Sequence, residues 1–339
     1  MRIFKRITLS ILAIVVIGGT ALLTYVIGPT TIRLMDKGLL LRLPAGIVEA
    51  FKEPPTLAER QAAGGPLRYT EAFIPGAPGD PPVRIVIVEP KDAAPGRPGV
   101  LDIHGGGFMH GSPESSLSTL VEGLVLKFGI TVVSVDYRLA PATRYPGSLH
   151  DNYAALKWFH EHAGEMGVDR RRIGIMGFSA GGAHAAALGI HARDRDELPI
   201  LFQALLSPAL DDRTGSTIDP GPSRGLFLWK REDNRKAWTA FLGVEAGSDE
   251  VPKGAVPMRV ADLSRLPPTY IAVGSLDLFA TESEGFARKL AAAGVPVELQ
   301  VFTGGFHAFE ALVPSAPLSR QARQALEEYM ARMFVAGGV

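Results

Sequence analysis

The chain has 339 residues, 35 basic side chains against 35 acidic ones, and no cysteine. That balance leaves no basic stripe for nucleic acid, and the missing thiols exclude disulfides, thiolate nucleophiles and cysteine-based zinc sites. Hydrophobic residues make up 46%, enough for one large α/β domain or two modest ones.

Arg2, Lys5 and Arg6 precede an uncharged stretch over 7–27. As a helix that stretch would span about 31 Å, roughly one hydrocarbon core. No clean Ala-x-Ala site follows it, so a retained transmembrane anchor is expected ahead of a cleaved signal. Basic residues favour the cytoplasmic side, which puts residues 1–6 in the cytoplasm and the bulk of the chain outside. Secretion after cleavage is the alternative, and Arg33, Lys37 and Arg42 on the far flank pull against this orientation. Residues 28–65 read as one or two short helices near the mouth of a site, or as a membrane-proximal linker. Their apolar run is broken by Pro44 and Gly46.

From residue 67 strand-like runs alternate with helical ones. Strands are expected at 68–74, 83–88, 99–103, 130–135, 172–176, 200–206, 269–273 and 297–302. Helices are expected at 115–128, 149–162, 180–191, 282–293 and 319–334. The first two strands follow each other directly, as in an antiparallel start. The later ones are nearly continuously apolar and separated by helices, as in parallel strands buried on both faces. The layout over 66–339 is a doubly wound α/β domain. It is interrupted at about 211–262 by a segment rich in Gly, Pro and charge, which suits a lid between the sixth and seventh strands.

Gly177-Phe178-Ser179-Ala180-Gly181 reads G-x-S-x-G and joins an expected strand to an expected helix. Small residues around Ser179 permit a tight, strained turn that presents the hydroxyl at the sheet edge. A serine hydroxyl needs a base, an orienting acid and an oxyanion site to act as a nucleophile. His104-Gly105-Gly106-Gly107 follows a strand and can aim backbone amides at a developing negative oxygen. A phosphate loop is the competing reading, but no Lys-Ser/Thr follows. His307 lies in a glycine-flanked loop after the last strand, where an α/β sheet presents functional groups. Asp277 follows the strand before it and is the expected acid, with Asp211, Asp262 and Glu282 as rivals. Glu282 reads as a carboxylate placed at a helix start. His160, His162, His184 and His191 lie on expected helices without a carboxylate partner, so no metal site is expected. Trp229, Trp238 and Phe241 fit either a substrate pocket or the lid's own core. Asp136 and Arg138 read as ion-pairing groups below the site.

These motifs resemble the hormone-sensitive lipase-like branch of the α/β hydrolases. The resemblance rests on His104-Gly105-Gly106-Gly107-Phe108, Asp136-Tyr137-Arg138-Leu139-Ala140-Pro141, the Ser179 turn, Asp262-Leu263-Ser264 with Leu266-Pro267-Pro268, Gly274-Ser275-Leu276-Asp277 and Gly305-Phe306-His307, in that order. It implies an α/β-hydrolase fold, with a mostly parallel eight-stranded sheet flanked by helices and a helical lid from two segments. It also implies an esterase that uses a Ser179–Asp277–His307 triad on short to medium acyl chains. The amides of Gly105, Gly106 and Ala180 would be the oxyanion donors. No cofactor is implied, and the partner is a small ester or lipid, with membrane contact through the N-terminal helix. The family often has Asp or Glu at the position of Phe178, and its acid motif often reads Asp-Pro-Leu where this chain has Asp277-Leu278-Phe279. A carbohydrate deacetylase, an amidase or a peptidase could use the same triad. A non-catalytic binding protein is disfavoured by the intact motifs.

Overall fold

Runs of Val, Ile and Leu with few charges form strands that bury both faces, and the described residues place such strands inside an eight-stranded sheet whose edge strands are only partly buried. The computed structural model describes residues 29–50, 53–117 and 119–337. The expected anchor at 7–27 lies outside the described residues. Among those described, no helix is long and apolar enough to cross a membrane.

The chain opens with helices α1 (Pro29–Leu34), α2 (Lys37–Ala50) and α3 (Leu57–Ala62). There follow β1 (Leu67–Ile74), β2 (Val83–Pro90), β3 (Arg97–Ile103), α4 (Pro113–Ser116), α5 (Thr119–Phe128), β4 (Thr131–Asp136) and α6 (Gly147–His162). Then come β5 (Val168–Phe178), α7 (Ala180–Arg195), β6 (Gln203–Leu206), α8 (Arg231–Leu242), β7 (Thr269–Gly274) and α9 (Ala280–Ala292). The chain closes with β8 (Val297–Phe302), α10 (Phe309–Leu312) and α11 (Pro317–Ala336). The sheet order is β1-β2-β4-β3-β5-β6-β7-β8. β2 runs antiparallel to both its neighbours, and the remaining pairs are parallel.

Alternate residues of each strand feed two cores. One face, with Val100, Val132, Met176 and Leu206, packs against Leu39 and Leu43 of α2, Leu124 of α5 and Leu326 of α11. The other, with Leu101, Val133, Ile175 and Ile271, packs against Phe159 of α6, Leu188 of α7 and Phe286 of α9. A third cluster lies toward one end of the sheet, where Phe108 meets Trp238, Phe241, Leu278 and Phe279. Trp238 and Phe241 are therefore core residues of the 211–262 segment. That segment is tied across itself by Asp212, which is fully buried, with Oδ1 2.7 Å from Arg259 Nε.

Three expectations change. The helix expected over 115–128 is two, α4 and α5. The break expected at Pro44 and Gly46 is absent, because α2 runs through both. Leu39 and Leu43 are buried in the core, and a Cβ on Gly46 would lie 2.2 Å from the Leu312 carbonyl oxygen. Close packing on α10 thus holds a helix that local propensity alone would end. Third, Glu282 does sit in the first turn of α9, but its carboxylate is buried and turned toward other chain segments. It accepts from the Leu210 amide at 2.5 Å and from the Thr214 hydroxyl.

Candidate active site

Three loops that leave the same end of the sheet converge. The first follows β5. Ser179 has φ 57° and ψ −118°, a conformation costly for any residue with a Cβ. It is held there by its amide, which donates to the Leu206 carbonyl at 2.8 Å, and by its carbonyl, which accepts from Ala183 and Ala209. The turn closes only because its glycines lack side chains. A Cβ on Gly181 would lie 2.0 Å from the Ile103 carbonyl oxygen, so α7 starts in contact with the end of β3.

The second loop follows β8. His307 Nε2 lies 3.0 Å from Ser179 Oγ. The third follows β7, and its Asp277 Oδ2 lies 2.9 Å from His307 Nδ1. A carboxylate can only accept, so Nδ1 donates to Asp277 and Nε2 is left to accept from the Ser179 hydroxyl. Asp277 is fully buried, and its Oδ1 accepts from the Phe279 amide at 3.0 Å. The imidazole is packed among Phe178, Trp229 and Phe279. Burial opposes charging of His307, but the charge and hydrogen bond of Asp277, with Glu310 adding to them, hold its pKa above the usual histidine value.

The glycine loop after β3 lies against the same serine. A Cβ on Gly105 would be 2.9 Å from the Phe178 carbonyl oxygen and 3.3 Å from Ser179 Cβ. Gly106 has φ 122°, and a Cβ there would overlap the His110 carbonyl oxygen at 2.0 Å. The amides of Gly105, Gly106 and Ala180 donate to no backbone acceptor among the described residues. Below this loop, the Tyr137 hydroxyl donates to the His104 carbonyl at 2.9 Å, and the two rings stack at 4.2 Å. Arg138 forks onto Asp151 and reaches Asp80, while Asp136 pairs with Arg84.

The structure thus brings all six expected residues, Ser179, Asp277, His307, Gly105, Gly106 and Ala180, to one place. The rivals Asp211, Asp262 and Glu282 pair elsewhere, with Arg213, the Ser264 amide and Leu210–Thr214 respectively. His184 is a core residue packed on Phe108, Tyr137 and Phe241, and burial pushes its pKa down to about 3. Among the described residues no cluster of three or more His, Asp or Glu could hold a metal ion. Trp229 was ambiguous in the sequence. Its ring lies 6.2 Å from that of His307 and meets the space above Gly107, so it lines the site. Glu310 was not singled out at all. It lies three residues past His307 and lines a cavity of about 310 Å³ that also touches Gly105, Gly106 and Phe178. Its proximity in sequence to His307 was the available signal.

Known proteins resemble this chain in sequence and fold. Residues 100–311 match the family model described as alpha/beta hydrolase fold. The chain is 34% identical over 276 residues to Esterase LipI of Mycobacterium tuberculosis, covering 79% of this chain and 84% of that one. It is 33% identical over 228 residues to Carboxylesterase NlhH of the same organism, covering 65% and 69%. Among solved structures it resembles a bacterial heroin esterase at 35% identity and a TM-score of 0.78, covering 90% of this chain and 99% of the other. The chain belongs to the α/β-hydrolase fold family, in the hormone-sensitive lipase-like branch that its motifs resemble.

Proposed function

We propose that this chain is a carboxylesterase that works through an acyl-enzyme on Ser179. The observation that carries the reading is the unbroken chain of contacts from Ser179 Oγ to His307 to Asp277, and the relatives named as esterases support it. Ser179 attacks the ester carbonyl while His307 Nε2 takes its proton, and Asp277 stabilises the imidazolium that forms. The carbonyl oxygen becomes an oxyanion facing the amides of Gly105, Gly106 and Ala180. Collapse of the tetrahedral intermediate breaks the bond to the alkoxy oxygen, and His307 returns its proton to the leaving alcohol. His307 then activates water against the acyl-enzyme, releasing the acid and free Ser179. Each oxyanion donor is worth about 3 kcal/mol, or roughly a hundredfold in rate. The cavity beside Gly105 and Gly106, about 310 Å³, sits at the low end of small-molecule pockets and suits short to medium acyl chains.

Ser179→Ala is expected to reduce p-nitrophenyl butyrate hydrolysis to the uncatalysed background while leaving thermal unfolding intact. It should also abolish labelling by a fluorophosphonate probe. Turnover retained in that variant would remove Ser179 from the mechanism. A panel of esters, anilides and acetylated sugars separates an esterase from an amidase, a peptidase or a deacetylase. The proposal extends to location: the uncharged stretch over 7–27 anchors the chain in a membrane, with residues 66–339 outside the cytoplasm.

A further inference from the structure

The cavity that borders the glycine loop is walled by apolar side chains from three layers. Met176 and Leu206 come from the sheet, Val121 from α5 and Leu326 from α11. Two carboxyl groups interrupt that apolar lining, those of Asp102 and Glu310. Their situations differ. Asp102 Oδ2 accepts from the Ser116 hydroxyl at 2.6 Å and from the Ser134 hydroxyl at 2.8 Å. Glu310 as a residue is only partly buried, yet its Oε2 is sealed from solvent and has no hydrogen-bond partner. A buried carboxyl oxygen left unmatched is costly, and it is a strong place for an incoming donor. As placed, Oε2 does not face the cavity, but the terminal torsion of a Glu side chain is broad, and a partial rotation brings the carboxyl toward the cavity that this residue lines. Burial also pushes this carboxyl up to about 7.

The cavity is lined by Gly105 and Gly106, and neither Ser179 nor His307 is on its wall. In the mechanism above, the acyl carbonyl oxygen faces the amides of Gly105 and Gly106, and both residues line this cavity. The acyl part stays through deacylation, so the cavity is assigned to the acyl chain. Charge on the wall narrows what its far end accepts. Arg323 also lines it and disfavours an ammonium group, while Glu310 disfavours a carboxylate. A neutral hydroxyl is compatible with both, and it can donate to Glu310.

We propose, resting on the esterase reading, that this cavity selects acyl chains bearing a distal hydroxyl group, and that Glu310 is the residue that recognises it. Glu310 then acts as a specificity determinant held three residues from the catalytic histidine by α10.

The test compares kcat/KM for p-nitrophenyl 6-hydroxyhexanoate and p-nitrophenyl hexanoate in the wild-type chain, Glu310→Gln and Glu310→Leu. A second arm places the same hydroxyl on the alcohol, as 6-hydroxyhexyl hexanoate against hexyl hexanoate. On the acyl arm, the hydroxy-to-plain ratio is expected to fall about tenfold in Glu310→Leu, the worth of one hydrogen bond. Glu310→Gln keeps an acceptor and should retain most of the preference. An equal ratio in wild type and Glu310→Leu overturns the proposal, as does a Glu310-dependent preference confined to the alcohol arm. Absence of any wild-type hydrolysis of the plain esters would instead overturn the esterase reading.

Discussion

Asp277 is fully buried beside His307, and that pairing sets the sign of the pH dependence. The base must be neutral to accept the Ser179 proton, and its pKa is held above the usual histidine value of about 6.5. kcat/KM should therefore fall on the acid side through a midpoint above that value. Asp277→Asn removes that charge and leaves only Glu310 to oppose burial, so the midpoint should move to lower pH. The amide can also donate to Nδ1 and fix the wrong tautomer, for which a loss of about 10⁴ in kcat is the expected scale. Burial also pushes the Glu310 carboxyl up to about 7, so the profile should also be recorded in Glu310→Gln to separate the two groups. An acid limb that stays in place in Asp277→Asn would remove Asp277 from its orienting role. Ser179, Asp277 and His307 could be read from the chain because each sits just past a strand, in or beside a glycine-containing turn that marks its position. Glu310 and Trp229 could not. Their places depend on how α10 and the 211–262 segment pack, and no short-range pattern encodes that.

Among the helices, α9 shows how a local rule can name the right position and the wrong energy. As a first-turn carboxylate at the helix start, Glu282 would contribute about 0.3–1 kcal/mol. The structure instead gives it a buried bridge to the Leu210 amide and the Thr214 hydroxyl, which pins the chain leaving β6. Glu282→Ala leaves both donors without an acceptor, at about 1–3 kcal/mol for each such group. Urea unfolding should therefore show a loss above 1 kcal/mol, and a smaller loss would restore the simple helix-start role. Burial raises this carboxyl well above the ordinary Glu value. A raised acid binds its proton more tightly folded than unfolded, so its contribution is complete below about pH 4.5 and declines as pH rises through the folded value. The variant should lose part of that decline. Other helices were legible only in part, for different reasons. α8 opens with Arg231, Glu232 and Asp233 and carries Arg235 and Lys236, so charge masks the face that buries Trp238 and Phe241. α2 contains Pro44, and only its burial against α10 and the sheet keeps it helical.

At the scale of the whole molecule, the inner strands were legible because a sheet covered by helices on both faces demands continuous apolar runs, while the edge strand β1 showed by its alternation of buried and exposed residues. The segment ahead of the sheet is the part whose role depends on more than the sheet. Its described helices α1 and α2 leave Leu34 and Leu41 exposed, at 40% and 80%. Arg33, Lys37 and Arg42 are exposed beside them in the chain. These basic residues follow directly on the uncharged stretch over 7–27 and are the feature that pulls against the proposed orientation. The turn between α1 and α2 meets the loop that carries His307, with the Asp36 amide donating to the Gly304 carbonyl at 3.1 Å. If 7–27 is an anchor, the site is held close to the bilayer, and ester substrates dissolved in lipid gain effective concentration. Removing residues 1–27 should then move the protein from the membrane pellet to the soluble fraction. Hydrolysis of soluble p-nitrophenyl butyrate should stay within about twofold, since none of the site residues is touched. Hydrolysis of a vesicle-borne ester should drop by at least about tenfold, because the loss is one of co-localisation rather than chemistry. The same ratio of soluble to vesicle activity in both forms, or an unchanged pellet fraction, would separate the N-terminal stretch from membrane attachment.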